Sequence, residues 1–153
     1  SIVLKEPWQP APLKEFTVPG VIRSTWGGPG NSSVVVFLQE AAEPVTARFL
    51  VDSSSAGAEE GGMTVAAREV RTVGGMRAMW VVVTGKGTGA AMGGPGDTDM
   101  TQHWVAVPRG TDVIVVLLTC RTADYPDLKQ SFDEALTTMK LGGTQTPEQK
   151  ASE

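Results

Sequence analysis

The chain has 153 residues, with 17 acidic and 13 basic side chains and a formal net charge of −4, and this length suits one domain with its own core. The negative balance gives no field that attracts phosphate backbones, so we expect no nucleic-acid partner. Every apolar run is shorter than the roughly 18 residues that cross a bilayer, so we expect no membrane span. A single Cys120 and a single His103 argue against an internal disulfide and a structural zinc site.

The N-terminal part, residues 2–20, contains four prolines. Proline excludes helix and restricts strand to edges, so we predict an extended segment that Trp8 anchors to the domain. Residues 21–26 and 33–39 are rich in β-branched and aromatic side chains and flank a glycine-rich stretch. This pattern predicts a hairpin, with Trp26 partly exposed beside its loop.

A helix is predicted over residues 45–58, after Pro44, and it should end at Gly57 or at the Gly61-Gly62 pair. From Met63 the apolar residues alternate as in a strand. The next pair of glycines, Gly74-Gly75, predicts a turn into a further strand over residues 76–84.

Two more strands are predicted over residues 100–107 and 112–119, joined by a turn at residues 108–111. The runs 79–83 and 113–118 are apolar at every position. Strands of this kind have both faces covered, which requires helices on the two sides of the sheet.

The clearest helix follows Asp124, which should cap it, and a proline stands near its first turn. Its apolar positions lie on one face: Leu128, Phe132, Ala135, Leu136 and Met139. We predict a single, monomeric α+β domain over residues 1–141, an antiparallel β-sheet flanked by helices on its faces, and a disordered polar tail over residues 142–153.

The stretch WVVVTGKGTGAAMGGPGDTD, residues 80–99, resembles a dinucleotide-binding turn because it contains Gly85-x-Gly87-x-x-Ala90. That turn needs a following helix, and the glycines and the proline after it would cost such a helix roughly 7 kcal/mol. We therefore predict a long hairpin loop over residues 85–98 with no nucleotide.

Loops of this length inside a domain tend to be functional or mobile. We predict that this loop and the neighbouring Trp26 loop contact a protein partner. The residues proposed for that contact are Trp26, Lys86, Thr88, Met92, Asp97 and Asp99.

No set of catalytic residues can be assembled. With the turn at residues 108–111, His103 should pair near Val116 and Cys120 near Asp99, which separates them by roughly 13 Å along the sheet. They could not share a proton at that distance, so we expect no catalytic residue, no metal site and no cofactor.

The order of elements resembles a known family. The segment 69–80, with Gly75 and Ala78 three apart, leads to the variable loop, then to the hairpin 103–119 and a closing helix that ends in SFDEALTTMKL. Over residues 8–141 this arrangement is similar to the PsbP-like family, which includes DcrB-type bacterial lipoproteins and a nuclear-transport factor that binds the Ran GTPase.

The resemblance implies an αβα sandwich, with Gly75 and Ala78 packed closely where a strand begins, and proteins that mostly bind or assist other proteins. No residue here matches an ion-retaining site or a Ran contact. We expect an accessory domain of an exported bacterial protein, periplasmic or lipid-anchored after removal of a signal peptide, that binds a protein partner. The alternative is a small-ligand or lipid-binding module with a cleft between sheet and helix.

Overall fold

The protein is described here by a computed structural model that covers residues 2–11, 20–87 and 98–153. Its centre is a seven-stranded sheet in which every neighbouring pair of strands is antiparallel. Helices pack on this sheet, so the predicted α+β class is confirmed. Within the described ranges, no helix has the length and apolar character that a membrane crossing requires.

The strands follow one another in space in the order β1-β2-β3-β7-β6-β5-β4. The strands are β1 Gln9–Pro10, β2 Val21–Gly27, β3 Ser33–Glu40, β4 Thr64–Val73, β5 Met76–Lys86, β6 Asp99–Arg109 and β7 Asp112–Arg121. The helices are α1 Ala47–Glu60, α2 Tyr125–Thr137 and α3 Pro147–Ala151.

The two faces of the sheet bury separate cores. Along β3, Val34 and Val36 face a core that α2 closes, whereas Val35 and Phe37 face a core that α1 closes. Successive strand residues point to opposite faces, so uninterrupted apolar runs are what a doubly covered strand requires. The predicted burial of the central strands on both faces is confirmed.

The ends of the two long helices differ in detail from the sequence prediction. Thr46 caps α1 by accepting a hydrogen bond from the Phe49 amide (3.1 Å), so α1 begins two residues later than predicted. The helix continues through Gly57 to Glu60, so of its two predicted ends the one at Gly61-Gly62 is confirmed. Asp124 stands at the N-terminal end of α2, but its carboxylate accepts from Arg121 Nε (2.7 Å) and caps no helical amide. The side-chain cap predicted for α2 is therefore wrong.

The predicted turn at residues 108–111 is also wrong, because β6 continues through Pro108 to Arg109. Only Gly110 and Thr111 form the turn, and Gly110 has φ +57°, a conformation that favours glycine. The shorter turn shifts the pairing of β6 with β7 by two residues. His103 therefore faces Leu118.

Residues 142–153 form part of the domain, contrary to the predicted disorder. Thr146 and Gln149 form a reciprocal cap at the start of α3. The Gln149 side chain, 1% exposed, donates to the Val45 and Gly110 carbonyls at 2.9 and 2.8 Å and accepts from the Gly110 amide. Gln145 and Gln149 thus attach the tail to the domain through hydrogen bonds. Because these side chains are polar, the hydrophobic pattern of the sequence does not indicate this attachment.

The N-terminal segment lies across the α2 face. Trp8 is buried, and its indole N–H donates to Ser131 Oγ on α2 (3.0 Å). Ile2 and Leu4 pack on the same core, and the Val3 amide donates to Thr138 Oγ1 at the end of α2 (2.9 Å). The predicted anchoring role of Trp8 is confirmed.

Candidate functional site

The β5–β6 connection is an antiparallel hairpin, as predicted. Gly85 lies within β5, and Lys86 pairs with Asp99, their side chains joined at 2.7 Å. The Gly87 amide donates to the Thr98 carbonyl (2.9 Å) and closes the stem. Of the predicted contact residues, Thr88, Met92 and Asp97 lie outside the described residues. The stem excludes the strand-to-helix turn that a dinucleotide site needs at Gly85.

Trp26 is separated from that hairpin. It lies on β2, and β3 and β7 stand between β2 and β6, a span of about 14 Å across the sheet. Its half-buried ring packs against the core beneath α2, in agreement with its predicted partial exposure. The structure therefore does not join Trp26 to Lys86 and Asp99 in one compact site.

Trp26 instead lines a half-open cleft of about 560 Å³, which we call the Trp26 groove. This volume falls in the range of small-molecule sites. Its lining residues are Ile2, Arg23, Ser24, Trp26, Val36, Phe37, Leu38, Arg109, Ile114, Met139, Lys140, Leu141 and Gly142.

The groove forms where the sheet extends beyond α2. Its floor is the α2 face of β2, β3 and β7, with Val36 and Ile114 in the same core. The N-terminal segment at Ile2 and the chain after α2, residues 139–142, form its walls. Because the walls are not regular elements, the sequence pattern alone does not indicate a cleft here.

Arg23 reaches the groove through an irregularity of β2. The pairing of β2 with β3 shifts between Ile22 and Ser24, which leaves Arg23 as the additional residue of a β-bulge. Bulges interrupt the alternation of side chains and redirect one of them. The bulge thus adds a cation to a face that otherwise carries Ser24 and Trp26.

The groove has a one-sided charge. Among the residues that the structure describes, Arg23, Arg109 and Lys140 line it and no aspartate or glutamate does. One terminal nitrogen of Arg109 donates to the Gly142 carbonyl, while the buried Nε–H has no acceptor among the described residues. The described residues therefore do not satisfy every donor of this guanidinium group.

His103, the only histidine of the chain, lies in a buried cluster beneath α2. Its Nδ1 is 3.0 Å from the Tyr125 hydroxyl, and its ring contacts those of Trp80 and Phe132, with centroids 4.4 and 4.9 Å away. Burial, followed by the charges of Lys129 and Arg71, lowers the pKa of His103 to about 3. The imidazole is therefore neutral near pH 7.

Cys120 lies near this cluster on the same face of the sheet. It pairs with Thr101, two residues from His103, so the two are diagonal neighbours about 7–8 Å apart and not 13 Å as predicted. Burial, then Asp124, raises the pKa of the Cys120 thiol to about 12. A protonated thiol beside a neutral imidazole is a poor nucleophile.

The glycines of the β4–β5 turn have roles different from those implied by the family resemblance. Gly75 has φ +80° and open space where a Cβ would stand, so it serves the turn. Close packing occurs at Gly74, where a Cβ would lie 2.9 Å from Leu141. Ala78 is fully buried beneath α2, as implied.

These elements define an antiparallel αβα sandwich, and the solved structures that are similar to it include the following two. A Pseudomonas aeruginosa protein of unknown function, PA94, shares 18% identity, with 90% of this chain and 99% of that chain covered and a TM-score of 0.66. The cyanobacterial PsbP protein (CyanoP) of Synechocystis sp. PCC 6803 shares 12% identity, with 85% and 79% covered and a TM-score of 0.52.

The chain thus has a PsbP-like fold, as the order of its elements indicates. No family model matches the sequence, and no curated protein matches it. At these identities the similarity concerns the fold, so function has to be argued from the groove and the buried cluster.

Proposed function

We propose that this protein is a non-enzymatic binding domain and that the Trp26 groove holds a small apolar ligand or a lipid chain. The observation that carries the proposal is the cleft itself, about 560 Å³ between the sheet and the end of α2, lined mainly by apolar side chains. Concave apolar sites with a few polar groups are typical of ligand-binding proteins.

The state of the reactive side chains supports a binding role. His103 and Cys120, the residue types most often used for acid–base and nucleophilic catalysis, are both buried, neutral and outside the lining of the groove. A general base has to reach its substrate and have a pKa near the working pH. Neither residue meets both conditions.

A neutral, polarity-sensitive dye tests the proposal. Nile red should bind the native protein at one site and fluoresce more strongly as it leaves water. Ser24→Trp places a large ring inside the groove and should weaken dye binding at least tenfold, whereas Ser53→Trp, on the exposed side of α1, should leave it unchanged. Equal dye affinity of the two variants, with unchanged melting temperatures, would refute the proposal.

A protein partner at the β5–β6 hairpin is the second candidate, favoured by the ion-paired stem of a connection that spans residues 87–98. In that case Lys86 and Asp99 would flank the contact. Replacing residues 88–97 with Asn-Gly should abolish binding of the partner and leave Nile red binding intact. The two candidate functions therefore predict that different binding activities are lost, Nile red binding in the groove variant and partner binding in the hairpin variant.

A further inference from the structure

We propose that the Trp26 groove binds a single-chain amphiphile with an anionic head group, of the fatty-acid class. Its alkyl chain would lie on the groove floor and its carboxylate at Arg109 and Lys140. This inference rests on the proposed function and adds the chemistry and the orientation of the ligand.

The shape of the floor suits an alkyl chain. Trp26 pairs with Val34, and Leu38 lies four residues further along β3, so the apolar floor extends about 13 Å in the strand direction. Trp26, Leu38 and Ile114 on this floor are only partly covered by the protein, whereas Val36 between them is buried. Covering them with methylene groups gains about 0.8 kcal/mol per buried CH₂.

Two of the lining cations, Arg109 and Lys140, lie at one end of this floor. Leu38, Ile114 and Val107 are paired neighbours on β3, β7 and β6. Arg109 lies two residues beyond Val107 on β6, at the end of the floor opposite Trp26. Lys140 stands two residues before Gly142, whose carbonyl accepts from Arg109. Arg23 flanks the middle of the floor on the β2 bulge. The arrangement predicts a head group at Arg109 and Lys140 and a chain that points to Trp26.

The charge balance of the groove opposes that of the molecule. The whole chain has more acidic than basic residues, yet the described residues that line the groove include three basic ones and no acidic one. By strand register the nearest carboxylate is that of Asp112, which pairs directly with Arg109, and Glu40 follows on β3; within the described part of the chain no ion pair joins either to Arg109. A carboxylate ligand would accept charge-assisted hydrogen bonds there.

The net charge of the chain and the charges that line the groove also argue against an anionic membrane as its binding partner. A membrane surface attracts a protein through a broad basic patch, at about 1 kcal/mol per cation near the surface. Here the net charge is −4 and the lining cations are few. A monomeric amphiphile, which needs only a local cationic site, fits the groove better.

The test is calorimetric titration at pH 8 with dodecanoate, dodecanol and dodecylamine, each below its aggregation threshold. We expect dodecanoate to bind one site at least tenfold more tightly than dodecanol, and dodecylamine to bind most weakly. The double variant Arg23→Gln with Lys140→Gln should lose about tenfold in dodecanoate affinity and keep its dodecanol affinity.

Two matched variants sharpen the test. Arg68→Gln removes a positive charge on β4, at the edge of the sheet away from β2, and should change neither affinity by more than about twofold. Asp112→Asn removes the carboxylate beside Arg109 and should strengthen dodecanoate binding.

The outcomes separate this inference from the function on which it rests. Equal affinities for dodecanoate and dodecanol, with no effect of the groove charges, would overturn the inference and leave the apolar site intact. Binding only to vesicles of anionic phospholipid would overturn it in favour of a membrane surface. If neither amphiphile nor Nile red binds, the proposed function itself fails.

Discussion

The α2 face of the sheet has a closed half and an open half. Under α2, His103 and Cys120 are sealed among aromatic and aliphatic side chains, and their pKa values favour the neutral forms. Beside α2, the Trp26 groove exposes apolar side chains to solvent, and Arg23, Arg109 and Lys140 are among the residues that line it.

The contrast shows that His103 and Cys120 are not accessible from the groove. The residues with the most familiar chemistry stabilise the core, where a neutral side chain avoids the cost of a buried charge. The Trp26 groove is lined mainly by aliphatic and aromatic side chains with a few cations, and its significance comes from their arrangement.

The largest expected effect comes from opening the closed half. Phe132 is fully buried against the His103 ring, so Phe132→Ala should lower the free energy of unfolding by about 3–5 kcal/mol. Chemical denaturation measures this loss. Phe49→Ala, at a position 57% exposed on α1, is the matched control and should cost under about 0.5 kcal/mol. Equal losses would show that α2 is not packed as described.

The polar tail gives the next effect. Gln149→Ala removes the hydrogen bonds to Gly110 and Val45 and should cost about 3 kcal/mol, because several buried backbone groups lose their partners. Amide hydrogen exchange at Gly110 should accelerate with it. The exposed Gln130→Ala on α2 is the control, with an expected change near zero. A tail that does not contact the sheet would make the two variants equivalent.

Acid should destabilise the closed half through His103. Its pKa is about 3 in the folded protein and about 6.5 when unfolded, so below pH 6.5 the unfolded chain binds a proton that the folded chain excludes. Stability is complete above pH 6.5 and falls toward pH 3, by about 2 kcal/mol at pH 5. Urea unfolding at pH 7 and pH 5 measures the difference.

The control for this pH dependence is His103→Asn, which should lose about 2 kcal/mol less between the two pH values. Tyr125 and Cys120, with raised pKa values, stay neutral throughout that range. Burial also raises the pKa of Asp133, which opposes the histidine effect in both proteins. An identical pH profile for the two proteins would place His103 in solvent.

The smallest effect should come from the hairpin stem. Lys86 and Asp99 form an exposed pair, so Asp99→Asn should cost only about 0.2–1 kcal/mol, and less at high salt. A melting curve at low and high salt measures it. A loss above about 2 kcal/mol would mean that the stem contributes as much to stability as buried core contacts do. It would contradict the difference in stability contribution expected between the hairpin stem and the closed half.

The sequence predicted the sheet because β-branched runs and glycine turns are local signals, and α2 because its apolar residues repeat with the helical period. It did not predict the docked tail, since Gln145 and Gln149 act through hydrogen bonds to distant backbone groups. The two-residue register error arose at Pro108, which usually ends a strand and here continues one.

Of the candidate site, only Trp26 was predicted, from the neighbouring glycine-rich loop. Arg23, Arg109 and Lys140 lie 86 and 31 positions apart along the chain, and a β-bulge, a strand end and the segment after α2 bring them to one groove. No local sequence pattern indicates that these distant residues line one groove. In the sequence, the signal available for this groove was the interrupted alternation of side chains around Arg23, where the β-bulge forms.

The most direct test of the account is an NMR titration with dodecanoate that follows both halves of the α2 face together. We predict that the largest shifts occur at the Trp26 indole N–H and at the methyl groups of Ile114 and Met139. The signals of His103 and Trp80 should stay in place. Shifts centred on His103 and Trp80, or no shift at saturating ligand, would contradict the assignment of binding to the open half.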